Sequence, residues 1–411
     1  MDEIKKHILY ISYDGMTDPL GQSQVLPYIC GLAKHGYQFT LISCEKPDKY
    51  EKNKSIIEAI CIENNINWQP VFYHKSPPIL STLWDINQIQ KLAYKIDKKL
   101  EFDLVHCRGY ISALIGLGMK RRFGTKFLFD MRGLWADEKV DAGSWNLSKP
   151  IYKSIYQFFK RKEREFFLNA DFAVSLTHAG KKEIQSWDYM QGLEDKIAVI
   201  PCCADTDLFN DAKINENDQN QWRKNIGIQE NQFVLSYLGS IGTWYMLDEM
   251  LDFFIELKKQ KATAKFLFIT HDEHEKIKLA AADRNLLNDI IIQPAQRNEV
   301  AQILSLSDLS IFFIRSTYSK ISSSPTKQGE IMAMGIPLIC NKGVGDTDSI
   351  VEKYHSGKIV EDFSKESYIS TIEKHFSAHY DKQSIRDGAI DYFSLEGGVE
   401  RYRTIYKKLL D

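Results

Sequence analysis

The stretch Leu309-Ser310-Ile311-Phe312-Phe313-Ile314-Arg315, followed after eight residues by Ser324-Pro325-Thr326-Lys327-Gln328-Gly329-Glu330-Ile331-Met332-Ala333-Met334-Gly335-Ile336-Pro337-Leu338-Ile339-Cys340, decides how the chain is read. The first run is continuously apolar and reads as a buried strand; residues 337–340 read as another. Between them Ser324 has the chemistry of an N-cap, and Pro325 suits a first helical position, where no backbone donor is needed. Gly335 can take left-handed backbone past the last turn, and Pro337 prevents continuation. In a parallel sheet such a helix aims its free N–H groups and positive dipole end at the carboxyl edge, where anions bind. Lys327 falls in the first turn, where a cation costs a few tenths to about 1 kcal/mol against the dipole. Tolerating it points to an anion nearby. Thr326 and Glu330 are four apart and share a face, and an acidic residue beside a phosphate site suits the paired hydroxyls of a ribose. A plain core helix with a solvated Lys and Glu is the alternative, and it leaves the coincidence of cap, Lys and Glu unexplained.

The same punctuation extends in both directions. Residues 233–239 read as a strand ending in Gly239-Ser240-Ile241-Gly242, a loop that opens a helix at 246–259. Further strands are expected at 264–270, 290–293 and 358–360. The first half opens with His7-Ile8-Leu9-Tyr10-Ile11-Ser12-Tyr13, then a turn-rich loop (14–23), a helix (24–34) and a strand (39–44). This is a βαβ unit, and its right-handed crossover makes the strands parallel. Gly15 and Gly21 allow a ligand close to the backbone, with Gln22 alongside. No Gly-x-Gly-x-x-Gly is present, so a nicotinamide-type dinucleotide is poorly supported. A polar helix (85–100) leads to a strand at 103–109 that carries His106. A strand at 126–133 carries Asp130 and Arg132, and the charged, aromatic loop after it holds Glu138. Both strands end in polar residues at the edge where open α/β sheets bind ligands. A helix at 149–169 and strands at 172–176 and 197–200 complete this half.

A length of 411 residues suits two domains. Hydrophobic content of 44% and aromatic content of 12% describe an ordinary soluble enzyme-like chain, and a net charge of −2 offers no global field for nucleic acid. Seven cysteines without Cys-x-x-Cys spacing argue for a reducing compartment and against structural zinc. The opening residues lack the apolar core of a leader, and no apolar run approaches a membrane span. A cytoplasmic protein is expected, at most attached to the inner face of a membrane. The architecture expected is α/β, with two Rossmann-like parallel-sheet domains facing across a cleft. Residues 1–200 form the first, 201–385 the second, and 386–411 a helix that packs back toward the first.

This layout resembles the retaining GT-B glycosyltransferases of family 4 (glycosyl transferase group 1), which use sugar nucleotides. Four places carry the resemblance: Leu20-Gly21-Gln22-Ser23 like the acceptor-side glycine loop, Val199-Ile200-Pro201 with Asp205-Thr206-Asp207-Leu208-Phe209 like the interdomain segment, Tyr237-Leu238-Gly239-Ser240 like the donor-domain first strand and loop, and Gly329-Glu330 with Ala333, Gly335 and Pro337 like the donor-site Glu motif. The pattern departs where the family has a first Glu eight residues before the second, because Ser322 stands there. Lys327 and Arg315 look like replacements for the usual donor-domain cations.

Transfer from a nucleoside diphosphate sugar needs charge stabilisation at the departing diphosphate. Lys327, Arg315, the Thr326 N–H and the backbone of Gly239, Ser240 and Gly242 can supply it without metal, and Ser324 and Glu330 complete the donor set. No cofactor is expected beyond a UDP- or GDP-sugar donor. The resemblance implies a retaining hexosyl- or N-acetylhexosaminyl-transferase acting on a glycan or lipid-linked saccharide, in surface polysaccharide synthesis. His106, Asp130, Arg132 and Glu138 are the candidates for catalysis and acceptor orientation, with Gly15, Gly21 and Gln22 forming the acceptor-side loop. Asp130 and Arg132 can equally pair with each other. His271-Asp272-Glu273-His274 has ligand residue types but is a poor metal site, and the basic, aromatic helix at 149–169 reads better as a core helix than as a lipid-docking one. Two rival readings remain: a GT-B-fold sugar-nucleotide epimerase, and an inactive, transferase-like subunit that binds a partner, for which Ser322 is the best support.

Overall fold

The computed structural model describes residues 6–272 and 274–411. Residues 1–5, where the sequence shows no leader-like apolar core, and Glu273 of the His271–His274 run lie outside them. Two compact units are present, Met1–Pro201 with Leu395–Asp411, and Cys202–Ser394.

In the first unit, β1 (His7–Ser12), β2 (Gln38–Glu45), β3 (Asn67–Phe72), β4 (Leu104–Arg108), β5 (Lys126–Asp130), β6 (Phe172–Ser175) and β7 (Ile197–Val199) form one sheet. Its order is β3-β2-β1-β4-β5-β6-β7, with every pairing parallel. Near-continuous burial of β1, β2, β4, β5 and β6 explains why these strands read as apolar runs, since helices cover both faces. Strand β3 escapes such a reading. It is an edge strand, only half-buried, and contains Pro70, a residue that edges tolerate because one side of the strand needs no donor.

In the second unit, β8 (Val234–Leu238), β9 (Lys265–Ile269), β10 (Ile290–Gln293), β11 (Leu309–Phe312), β12 (Leu338–Asn341) and β13 (Gly357–Val360) form a parallel sheet of order β10-β9-β8-β11-β12-β13. This is the doubly wound order, and its switch point lies between β8 and β11. The loops that follow these two strands therefore meet at one carboxyl edge. In the first unit the switch point lies between β1 and β4.

Residues 386–411 are not one helix. Lys382–Phe393 belongs to the second unit and Leu395–Leu410 to the first, with the chain turning at Ser394 into extended backbone. In the tail helix Leu395–Leu410, Tyr402, Ile405 and Tyr406 are buried, which is the spacing of a helix face laid on a core.

Candidate functional site

The second unit's switch point is built by two chain segments running side by side. Tyr245 bridges Ile314 in antiparallel fashion, the Arg315 N–H donates to the Trp244 carbonyl at 2.9 Å, and the Met246 N–H to that of Phe313 at 3.0 Å. Buried Asn341 holds the segment after β11 from the other side. Its Oδ1 accepts from the Ile314 N–H at 2.8 Å and its Nδ2 donates to the Ile314 carbonyl at 2.9 Å. Trp244 and Tyr245 are thereby fixed as a platform.

Cations lie on that platform. Lys327 Nζ sits 3.7 Å from the Tyr245 ring centre and 4.1 Å from that of Tyr237, and donates to the Tyr237 hydroxyl at 2.9 Å. Lys320 Nζ lies 3.7 Å from the Trp244 ring centre, and the Arg315 guanidinium 4.9 Å from it. Lys327 is 7% exposed, and among the described residues no carboxylate lies within ion-pair distance of it. Burial drives its pKa well below the ordinary lysine value, against the weaker pull of Glu330 and Asp272. A cation held this way is costly to the fold and offers its charge to whatever enters.

Glu330 follows three residues later in the helix Thr326–Ala333. Its side chain is only 14% exposed, and Arg297 Nη1 stands 3.9 Å from Oε1. Burial raises its pKa, partly offset by Arg297 and Lys327. Arg297 carries no signal in a single sequence, because it opens a different helix, Arg297–Leu304. Lys320 is hidden for a similar reason, sitting in a one-turn 3-10 segment, Tyr318–Ser322.

Other expected roles change. Ser324 is not the N-cap: Pro325 occupies that position without a side-chain bond, and the Ser324 hydroxyl accepts from the Cys202 N–H at 3.2 Å. Ser322, in place of the family's first Glu, is buried and donates to the Ser319 carbonyl at 3.0 Å. The loop after β8 is not an open row of donors. The Asp272 carboxylate accepts from the Ser240 hydroxyl at 2.7 Å and the Ile241 N–H at 2.5 Å, so an anion there must displace Asp272. The Tyr237 hydroxyl donates to the Ser240 carbonyl, and Lys327 Nζ would lie 3.2 Å from a Cβ on Gly239. Gly242 follows in the same loop. Gly335 does take left-handed backbone, with φ 68°. His271 Nε2 lies 2.6 Å from the Ala295 carbonyl, and no group of three metal-ligating side chains exists among the described residues.

In the first unit, the structure brings His106 and Asp130 together, beneath the tail helix. His106 Nδ1 is 2.8 Å from the Tyr406 hydroxyl, its Nε2 is 3.6 Å from Asp130 Oδ2, and the Tyr402 hydroxyl donates to the same Oδ2 at 3.0 Å. Burial lowers the His106 pKa. Burial pushes Asp130 upward, but Arg132, His106 and Arg108 outweigh it and hold the carboxyl below its usual range. Arg132 lies past the end of β5, with φ 57°, a left-handed conformation that only a few per cent of non-glycine residues adopt. Its Nη1 is 3.8 Å from Asp130 Oδ1. Glu138 is half-buried on the short helix Trp135–Asp141, next to Asp137, which accepts from the Tyr156 hydroxyl at 2.8 Å and Lys160 at 2.9 Å.

The glycines of the acceptor-side loop serve the loop itself. A Cβ on Gly21 would lie 2.2 Å from the Gly15 carbonyl oxygen, and one on Gly15 would lie 2.8 Å from Glu45 Oε2. The space is already filled by protein, so ligand access is not what makes these positions glycine. Buried Glu45 holds the loop, accepting from the Met16 N–H at 2.7 Å and the Thr17 N–H at 3.0 Å, and Gln22 Nε2 donates to the Thr17 carbonyl at 3.2 Å. At the switch point itself stand Arg108 and Asp14, Nε to Oδ2 3.4 Å, a pair the sequence reading passed over.

Comparison with known proteins agrees with this layout. Residues 24–208 match the family model described as Glycosyltransferase Family 4, and residues 218–388 the one described as Glycosyl transferases group 1. The chain belongs to the group 1 and family 4 glycosyltransferases. Its fold is that of GT-B glycosyltransferases. A glycosyltransferase from Rickettsia africae shares it at 19% identity and TM-score 0.71, each chain covered over 100% of its length. A sucrose-phosphate synthase from Thermosynechococcus elongatus matches at 13% identity and TM-score 0.72, covering 98% of this glycosyltransferase and 99% of that chain. Anabaena HepE in complex with UDP-glucose matches at 13% identity and TM-score 0.69, covering 98% and 99%. No curated protein matches this glycosyltransferase in sequence. Among its described residues, no helix is long and apolar enough to cross a membrane.

Proposed function

We propose that the protein is a retaining, metal-independent hexosyl- or N-acetylhexosaminyl-transferase that moves a sugar from a UDP- or GDP-sugar to a glycan or lipid-linked saccharide, in surface polysaccharide synthesis at the cytoplasmic face of a membrane. The observation that carries the reading is Lys327. A buried ammonium without a carboxylate at ion-pair distance, resting on Tyr237 and Tyr245 at a switch point, is suited to a diphosphate. Negative charge grows on the leaving diphosphate, so a fixed cation there favours the transition state more than the bound substrate. Glu330, one turn along, can accept hydrogen bonds from a ribose, and Arg297 and Lys327 offset part of the burial that raises its pKa. Arg315, Lys320 and the Thr326 N–H add positive potential. That HepE is known in complex with UDP-glucose favours a uridine donor.

Attack on the same face as the leaving group needs no protein nucleophile, and the departing phosphate can take the acceptor's proton. Because His106 and Asp130 bond to the tail helix, Arg132, Glu138 and the Arg108–Asp14 pair are the better placed groups for orienting an acceptor. The test is thermal stabilisation by UDP, GDP and ADP and by their sugars, followed by donor hydrolysis. One nucleotide should raise the Tm, and its sugar should be slowly hydrolysed. Stabilisation by none of them sinks the donor reading.

A further inference from the structure

Helix Leu80–Leu100 of the first unit turns both of its carboxylates inward. Asp85 accepts from the Tyr13 hydroxyl at 2.9 Å and the His74 N–H at 3.1 Å, and its Oδ1 lies 2.6 Å from His74 Nδ1. Asp97 accepts from the Phe102 N–H at 3.2 Å. What faces outward is different in kind. Leu80, Leu83 and Trp84 are 64%, 56% and 54% exposed, and Lys91, Lys95 and Lys98 are exposed beyond them. At 3.6 residues per turn these six positions fall in one stripe roughly 120° wide, about 27 Å long from Leu80 to Lys98. Its first turn is apolar, its later turns carry the three lysines, exposed Asn87 and half-buried Tyr94 fall between, and no acid of the helix interrupts it. The inner face, with Ile89 and Ala93, already packs on the core, so the stripe is not a core face left over.

The loop before this helix extends the apolar end. Ile79 is exposed, with φ 71°, a conformation that β-branched residues rarely adopt, and Lys75 is exposed beside it. The loop is not loose. Asp85 ties it at His74 and to Tyr13, at the carboxyl ends of β3 and β1 and next to the acceptor-side loop.

We propose that the Leu80–Lys98 stripe, with the 75–79 loop, is the surface by which this protein rests on an anionic lipid bilayer. The apolar turn enters the interface and the lysines meet lipid phosphates. An apolar end continuous with cations and free of acids is the complement of such a surface. A second copy fits less well, since a two-fold axis through the apolar turn would pair Leu80, Leu83 and Trp84 with their own copies but leave the lysines unanswered. The proposal rests on the lipid-linked acceptor reading and locates it: the bilayer would lie beside the edge where the acceptor loop is anchored.

The experiment is sedimentation of the full chain with phosphatidylcholine vesicles made with and without phosphatidylglycerol. Three double variants accompany it: Leu83→Glu/Trp84→Glu, Lys91→Glu/Lys95→Glu, and Ile151→Glu/Phe158→Glu on the other basic, aromatic helix. Tm, oligomeric state and UDP stabilisation are read in parallel. The wild type should bind anionic vesicles, less as salt rises. The first two variants should bind at least about tenfold more weakly, with UDP stabilisation unchanged, and the third should bind normally. Wild-type protein that stays in the supernatant, binding by the first two variants as tight as the wild type's, or a dimer that those variants dissociate would each overturn the proposal. Loss of UDP stabilisation in the wild type with vesicle binding intact would instead count against the donor reading alone.

Discussion

Two buried charge clusters sit at the carboxyl edges of the two sheets, and they are satisfied in opposite ways. In the first unit Asp130 is ringed by His106, Arg132, Arg108 and the Tyr402 hydroxyl, so its negative charge is answered from within the fold. In the second, Lys327 has two aromatic faces, one phenol and no carboxylate at ion-pair distance among the described residues. A cluster whose charges answer each other holds structure together, even though Asp130 Oδ1, His106 Nε2 and Arg108 Nη1 are buried there without a hydrogen-bond partner among the described residues; a cluster missing its counter-charge is waiting for one. Position at a sheet edge therefore does not by itself mark a ligand site. The balance of charge does.

That contrast can be broken by mutation. Asp130→Ala should be the most damaging change, destabilising the fold by about 3–5 kcal/mol because His106 and Arg132 lose their carboxylate. Chemical denaturation should show the loss, while UDP affinity in the surviving folded protein stays as it was. Weakened UDP binding with stability intact would reverse the assignment of the two clusters.

Lys327→Met should do the opposite, lowering affinity for the nucleoside diphosphate roughly tenfold to a hundredfold while leaving Tm unchanged or raised. Calorimetric titration beside a thermal melt checks both halves. The pH dependence follows from the same residue. Its folded pKa lies below the unfolded value of about 10.4, so between the two the unfolded chain holds a proton that the folded one lacks. Stability of the ligand-free protein should rise with pH across that window. Diphosphate affinity should fall there, because binding needs the ammonium, and Lys327→Met should flatten both profiles. A parallel alkaline slope in the variant would assign the proton elsewhere.

Glu330→Gln should weaken nucleotide binding about tenfold and weaken the nucleobase diphosphate more than inorganic pyrophosphate, which lacks a ribose. Equal effects on the two ligands would remove the ribose role. Smallest of all, Tyr406→Phe should cost about 1 kcal/mol of stability through the lost bond to His106, with no change in donor hydrolysis.

The alternation of apolar strands with helices is visible in the chain because buried parallel strands need no polar face, as β8, β9 and β11 illustrate. Edge strand β3 lacks that signature, and the break falls at Ser394, whereas the nearby Gly397-Gly398 lie inside the tail helix. For the site, Lys327 and Glu330 were legible because they share one short helix with Pro325 and Gly335. Lys320, Arg297, Asn341 and Asp272 come from other segments, and nothing local distinguishes them. Ser324 reads as a cap for a related reason: its hydroxyl can cap a helix or bond a distant backbone group at similar strength, and here the Cys202 N–H donates to it.

By itself, the sequence determined the two parallel sheets and the helix that presents Lys327, because burial pattern and helix punctuation act over a few neighbouring residues. The tertiary structure alone decided which charges are answered. His106 and Asp130 meet Tyr406 and Tyr402 from the far end of the chain, whereas Lys327 meets two tyrosines and, among the described residues, no carboxylate at ion-pair distance. Charge compensation works over ångströms in space, between residues hundreds of positions apart, and no spacing in a single sequence records it.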